Sequence, residues 1–286
     1  MSLEVSADTS HSWAPASSSL AQARAENFTV ASLLLPRETR QHLMAVYGFA
    51  RMTDDVGDEA IGDRLAMLDA LQDELTLAAR GEASHPILVS LTPTLGLPGV
   101  PLDPFVALIE ANRQDQLVTR YETFDELVDY CLLSAAPIGR LVLAIFEATT
   151  PRRVALSDDV CVGLQLVEHL QDVAEDAARG RVYLPQVELR AAGVDEVELT
   201  AGHASPALRR VVAVTSTRAR RLLASGRELS GTLPLRARLA VGGYAAGGLA
   251  VADEISRARY DVLGTRCRPR RRTVLRHLVA MTRGRA

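Results

Sequence analysis

Lysine is missing from this 286-residue chain, whose 32 basic residues are all arginine; the bias reads as coding preference rather than function. Aromatic side chains are scarce at 4%, against 48% hydrophobic residues in which Ala and Leu are prominent. Such a mixture favours helices over a sheet. Cysteines are few and widely spaced (Cys131, Cys161 and Cys267), with no CxxC pair. Their odd number makes a reducing interior the default. No window of about 18 uninterrupted apolar residues exists, so no spanning helix is expected. A net charge of −3 gives no reason to expect a nucleic acid partner. Residues 1–18 lack the basic start and apolar run of a signal peptide and read as a disordered lead.

What the chain does have is an acidic helix, Leu164 to Pro185, LQLVEHLQDVAEDAARGRVYLP. At helical spacing Glu168, Asp172 and Asp176 share one face, with Gln165 opening the stripe. Stacked carboxylates repel unless a cation sits against them, and the apolar residues between them argue for burial. A second acidic run, Asp54-Asp55-Val56-Gly57-Asp58, follows an apolar helical stretch that starts after Pro36. Asp54 and Asp58 also share a face. Two such helices facing each other would gather five carboxylates: Asp54, Asp58, Glu168, Asp172 and Asp176. Oxygen-only ligation points to Mg2+ completed by substrate phosphates, with Mn2+ as a substitute.

These two stretches resemble the aspartate-rich motifs of the squalene/phytoene synthase family, the head-to-head trans-isoprenyl diphosphate synthases. The first motif follows Ala45-Val-Tyr-Gly-Phe-Ala-Arg51; the second comprises Gln165, Asp172, Glu175-Asp176 and the tail Gly180-Arg-Val-Tyr-Leu-Pro185. The resemblance runs from about Asn27 to about Pro269. It implies one all-α domain over residues 19–286, an isoprenoid-synthase-type bundle around a deep apolar cavity with carboxylates at its mouth. It assigns diphosphate binding to Arg51, Asn27, Arg181 and Arg266, and cavity wall to Phe28, Ser134, Ala135 and Gly139. Tyr47, Gln165, Glu168 and Tyr244 become candidates for catalysis or for positioning water. Asp115 is a further acid expected to face the cavity.

Two departures refine that expectation. The commonest family pattern has Asn where this chain has Glu168, and Arg where it has Gln171. The exchange makes the site about two charges more negative and removes a guanidinium that would grip diphosphate. Holding two prenyl diphosphates becomes harder; one diphosphate with metal remains workable. The wording resembles the bacterial hydroxysqualene synthase branch, in which presqualene diphosphate and water give a C30 alcohol without NADPH. No Gly-rich dinucleotide fingerprint follows a strand-like segment, which agrees with that outcome.

Elsewhere, helices are expected over 61–80, 105–118 and 205–229, and over 123–148 with a kink at Ala135-Ala-Pro137. The segment 92–104 reads as a Pro/Gly-rich connector, and the Arg-rich face of 205–229 as solvated. The end, 268–286, reads as a basic amphipathic helix, suited either to an anionic membrane surface or to docking on the protein with its arginines solvated. A cytoplasmic protein, peripheral on the inner face of the membrane and handing over to other squalene-pathway enzymes, would fit a lipid substrate. The competing readings are a synthase that couples two prenyl diphosphates to presqualene diphosphate or phytoene, a di-iron carboxylate oxidoreductase, and a non-catalytic prenyl-lipid binder or partner subunit. A di-iron site needs two helical ExxH pairs. The one ExxH present, Glu82 to His85, runs into Pro86 and reads as loop.

Overall fold

The computed structural model describes residues 35–283, so Asn27 and Phe28 lie outside the described residues. The first half of the described chain forms α1 (Arg37–Asp58), α2 (Arg64–Arg80), α3 (Pro86–Leu95), α4 (Asp103–Asp115), α5 (Phe124–Ser134) and α6 (Ala136–Ile145). The second half forms α7 (Pro151–Gln171), α8 (Val173–Ala178), α9 (Gln186–Ala192), α10 (Pro206–Thr232), α11 (Leu235–Arg257) and α12 (Arg271–Thr282). No strand occurs among the described residues; Arg120 and Val182 form an isolated bridge. The chain is a single helical domain.

Hydroxyl and carboxylate caps fix where the helices begin. Asp63 accepts from Ala66 N–H ahead of α2, Thr123 from Glu126 N–H ahead of α5, and Ser205 from Leu208 N–H ahead of α10. Each satisfies an orphan donor of the first turn. Thr150 does the same for α7, with Pro151 at its first turn, where no N–H is required.

Helix α7 is central, packing on α5, α6, α10 and α11, while α1 packs on α2, α3, α4 and α6. Two apolar cores result. One surrounds Leu166, Leu170, Leu208 and Leu223; the other surrounds Phe49, Leu68, Leu91 and Phe105. Phe49 and Phe105 meet edge to face, with centroids 5.3 Å apart. A third cluster, including Leu43, Val142, Leu229 and Val241, bridges the two cores.

Close helix approach rests on glycine. A Cβ at Gly163 would stand 2.9 Å from Leu223 Cγ and 3.0 Å from the Ala219 carbonyl oxygen. At Gly248 it would stand 2.7 Å from Leu164 Cδ2 and 3.0 Å from Leu223 Cδ2. Leu223, fully buried, is thus wedged between α7 and α11.

Several expectations change. The 92–104 connector is shorter, because α3 continues through Pro93 to Leu95; Val89, whose carbonyl loses its helical donor to Pro93, is half-exposed and open to water. The kinked helix 123–148 is two helices meeting at Ala135. One stretch, Phe124–Ile145, is apolar and long enough by composition to cross a membrane, yet 50% of it is buried in the fold. As expected, Glu82–His85 is a loop and no helical ExxH, with His85 capping α3. Three of the α10 arginines are paired, Arg209 with Asp261 at 2.6 Å, Arg220 with Asp253 at 2.8 Å, and Arg218 over the Phe124 ring at 4.3 Å, whereas Arg210, Arg221 and Arg227 are exposed as expected. The acidic helix is not continuous. It breaks at Asp172 (φ −106°, ψ 12°), so Asp176 starts from a new axis. A straight helix would have held three like charges in one row.

Gly163→Ala should lower stability by about 1–3 kcal/mol, because overpacking against backbone outweighs the gain in helix propensity. Gly231→Ala, with no atom within 4 Å of the added Cβ, should be neutral or stabilising. Urea unfolding of both variants tests this; equal midpoints would sink the packing argument.

Candidate active site

Helices α1 and α7 carry wall residues and acids in the same sequence spacing. Tyr47 stands seven residues before Asp54, and Cys161 seven before Glu168. At 1.5 Å per residue that is about 10 Å of rise on each helix. The wall residues surround a cavity of about 230 Å3, lined by Leu43, Tyr47, Val142, Leu164, Leu229 and Tyr244 among others. Gly139 belongs to the wall and lets α6 approach α7: a Cβ there would meet Ser157 Oγ at 2.3 Å and Cys161 Sγ at 2.6 Å. Burial pushes the Cys161 thiol up to about 12, so it stays protonated, and holds the Tyr244 phenol neutral in the same way.

Beyond the wall lie the acids. Asp54 is open to the cleft, yet surrounding protein is the main cause pushing its carboxyl up to about 7. The neighbouring charges of Asp58 and Glu168 push the same way, which puts both acidic motifs within electrostatic reach of each other. Asn112 Nδ2 donates to Asp54 Oδ1 at 3.3 Å and opposes the shift. Gly57 makes room for it, since a Cβ would fall 2.1 Å from Asn112 Oδ1. Asp176 is also pushed up to about 7, by burial and then by Asp172.

One guanidinium enters this acidic cleft. Arg181 Nη1 donates to Asp58 Oδ1 at 2.7 Å, and its charge also acts on Asp115 and Asp176. The loop that delivers it is fixed locally. Gly180 takes a left-handed φ of +81°, Arg181 N–H donates to the Asp176 carbonyl at 2.8 Å, and Val182 N–H to the Thr119 carbonyl at 2.9 Å. Arg120 clamps the same loop, donating to the Gly180 carbonyl at 2.6 Å and in a two-pronged grip to Glu196 at 2.7 Å.

Behind Arg181 lies an aromatic stack. The His169 and Tyr183 rings are parallel within 15° at 3.8 Å, and Tyr130 and Tyr121 stack on Tyr183 at 5.6 and 5.9 Å. Tyr130 donates to Asp115 Oδ2 at 2.7 Å and Tyr183 to Oδ1 at 3.4 Å. Burial still pushes Asp115 up to about 6.

Residues 21–276 match the squalene/phytoene synthase family. The chain belongs to this family. It is 37% identical over 202 residues to a hydroxysqualene synthase of Zymomonas mobilis, covering 69% of this chain and 67% of that protein. A phytoene synthase of Mycobacterium tuberculosis is 36% identical over 178 residues, covering 62% of this chain and 58% of that protein. The solved structure of squalene synthase HpnC from Alicyclobacillus acidocaldarius superposes with a TM-score of 0.79 at 40% identity, over 86% of this chain and 94% of that one.

For this member of the squalene/phytoene synthases, the side chains revise several assignments. Among the described residues, no three Asp, Glu, His or Cys side chains stand close enough together to hold a metal ion. The expected gathering of five carboxylates is therefore not formed as the side chains stand; Asp58 is engaged by Arg181 instead. The donor chemistry still suits a hard cation, being oxygen-only with two carboxyls raised by crowding and like charge. Arg51 pairs with the buried Asp55 at 2.8 Å and lies 3.6 Å from Glu59, rather than bonding Asp54. Gln171 does not face the acids: its Nε2 donates to the Cys267 carbonyl at 2.7 Å and ties the C-terminal loop to α7. Arg266 is exposed on that loop. Ser134 and Ala135 stand at the α5–α6 junction and are not among the residues lining the apolar cavity. Tyr47 and Tyr244 line it, Gln165 is half-buried before Glu168, and Glu168 is exposed. Asn112 escaped the sequence reading. Its signals are a polar residue inside an apolar helix and a glycine between acids on the helix it meets.

Carboxyls raised by folding bind protons more tightly in the folded than in the unfolded chain, so their contribution to stability falls as pH rises from about 4 towards 7. Asp54→Asn combined with Asp176→Asn should flatten the decline of Tm between about pH 5 and 7.5. Thermal melts across that range check this, and an unaltered slope would place its source outside the cleft.

Proposed function

We propose that the protein is a hydroxysqualene synthase, converting presqualene diphosphate and water to hydroxysqualene and diphosphate. The observation that carries this reading is the apolar cavity ending at two acidic helices, one of which bears Glu168 where the commonest family pattern has Asn. Asp54, Asp58, Glu168, Asp172 and Asp176 would hold Mg2+, or Mn2+ in its place. Bound there with the substrate, the metal would neutralise the diphosphate as a leaving group. Arg181, already in the cleft, is placed to transfer its hydrogen bonds from Asp58 to diphosphate oxygens.

Loss of diphosphate leaves a cyclopropylcarbinyl cation, and the aliphatic walls formed by Leu43, Val142, Leu164 and Leu229 exclude bulk water from it. Rearrangement to the 1'-1 linked skeleton and capture by one water completes the alcohol. Tyr47 and Tyr244 line that cavity and are the residues we assign to orient this water. His169, in the aromatic stack, is not among the cavity-lining residues. No step consumes a reductant, so NADPH is not needed. A phytoene-type coupling of two prenyl diphosphates is the second reading, favoured by the 36% identity to a phytoene synthase.

The test is incubation with Mg2+ and either presqualene or farnesyl diphosphate, without NADPH, followed by mass analysis of the products. Hydroxysqualene from presqualene diphosphate is expected. Presqualene diphosphate made from farnesyl diphosphate would instead establish a coupling synthase.

We further assign the protein to the cytoplasm, peripheral on an anionic membrane. Helix α12 leaves Leu275 61% and Val279 36% exposed one turn apart, beside exposed Arg271 and Arg272, while Arg276 pairs with Asp253 at 2.7 Å. Co-sedimentation with phosphatidylglycerol vesicles but not with phosphatidylcholine vesicles is expected; equal recovery from both would exclude an electrostatic membrane contact.

A further inference from the structure

His169 sits one residue beyond Glu168, turned about 100° around α7 from it. Its ring is buried, and its Nε2 has no hydrogen-bond partner among the described residues. A buried polar nitrogen left unpaired is costly, more so than the loss of an ordinary hydrogen bond. A neutral imidazole offers one donor and one acceptor nitrogen, so Nε2 can pair with a water in either role.

Beside it is a separate, partly open void of about 10 Å3, lined by His169, Asp176, Arg181 and Tyr183 together with Val173, Val182, Leu184 and Leu199. That volume matches one water molecule, and a water needs two to four polar partners to remain in such a place. The void borders the two residues that matter most to the cleft: Asp176, an acid of the second motif, and Arg181, which grips Asp58.

We propose that a single internal water occupies this void, linking His169 Nε2 to the Asp176 carboxylate, and that His169 is a positioning residue for the acidic cleft. The break of the helix at Asp172 makes this link useful. Asp176 rides on the short α8 (Val173–Ala178), whose orientation relative to α7 is not set by a continuous helix. A water held by the rigid stack of His169 on Tyr183 ties the two together. The imidazole touches neither cavity nor substrate position; it acts through the water and Asp176. The positioning role rests on the Mg2+–diphosphate reading given above, whereas the water site stands apart from it.

Two measurements test the two parts. A high-resolution crystal structure of the full chain should show an ordered water within hydrogen-bond distance of His169 Nε2; a dry void would overturn the proposal. Calorimetry with Mg2+ and inorganic diphosphate should then compare the parent chain, His169→Phe and His169→Gln. Phe keeps the stack but loses the nitrogen, and should weaken metal–diphosphate binding about 10-fold, the usual scale for a residue that orients a ligand. Its Tm should hold, because the ring still stacks on Tyr183 and only one hydrogen bond to the water is lost. Gln, whose amide can reach the water, should bind within about 3-fold of the parent. Unchanged affinity in the Phe variant overturns the positioning role, as does equal weakening in both variants with a falling Tm. A parent chain that binds no Mg2+ with diphosphate refutes the metal reading and the positioning role, while the crystal still decides the water.

Discussion

Like charges must be brought together at the open end of an apolar cavity, and every part of this structure near the cleft answers to that constraint. Asp54 and Asp58 on α1 lie within reach of Glu168 on α7, and Asp176 stands next to Asp172. Without substrate, Arg51 and Arg179 act on Asp54 and Asp176 without bonding them, and the counter-charge in direct contact with Asp58 is the Arg181 guanidinium. A partly buried carboxylate pair that lost it would keep both the repulsion and the desolvation cost. The loop behind it is accordingly held at several points, by the left-handed Gly180, the Val182–Thr119 hydrogen bond and the Arg120–Glu196 clamp. The break at Asp172 belongs to the same solution, since it separates charges that a straight helix would have aligned.

The cavity and the cleft are coupled by register. Tyr47 precedes Asp54 by the same seven residues that separate Cys161 from Glu168, so one rotation of either helix would move wall and acid together. Neither feature can be tuned alone by shifting a helix. Chemistry at the mouth is therefore tied to α1 and α7, while α6, α10 and α11 complete the wall that excludes water below it.

Much of this was legible in the sequence. Two acidic runs at helical spacing, the small-residue break near Ala135 and the GRVYLP tail fixed the all-α class and the residues of interest. What escaped it was rotamer and partner choice, which depend on elements far apart in sequence. Gln171 reads as a lost guanidinium until the Cys267 carbonyl is seen to accept its amide, 96 residues away. Arg51 has two acids within one turn, and only packing decides for Asp55 over Asp54. The break at Asp172 has no proline or glycine to announce it. Arg209 and Arg220 of α10 looked solvated because their partners, Asp261 and Asp253, lie on the loop after the next helix and on that helix.

Leu223 links regions that share no residue of the cleft. Gly163 on α7 and Gly248 on α11 press on opposite flanks of this one side chain, so it acts as a spacer gauge for both helices at once. α7 carries Leu164 and Cys161 of the cavity wall, and α11 carries Val241 and Tyr244. The width of the chamber is thus set from outside, by a residue that does not line it. Trimming Leu223 to a smaller aliphatic would let the two walls settle inward, and lengthening it would spread them. Chain-length preference in such an enzyme can therefore drift through substitutions that no inspection of the pocket lining would single out.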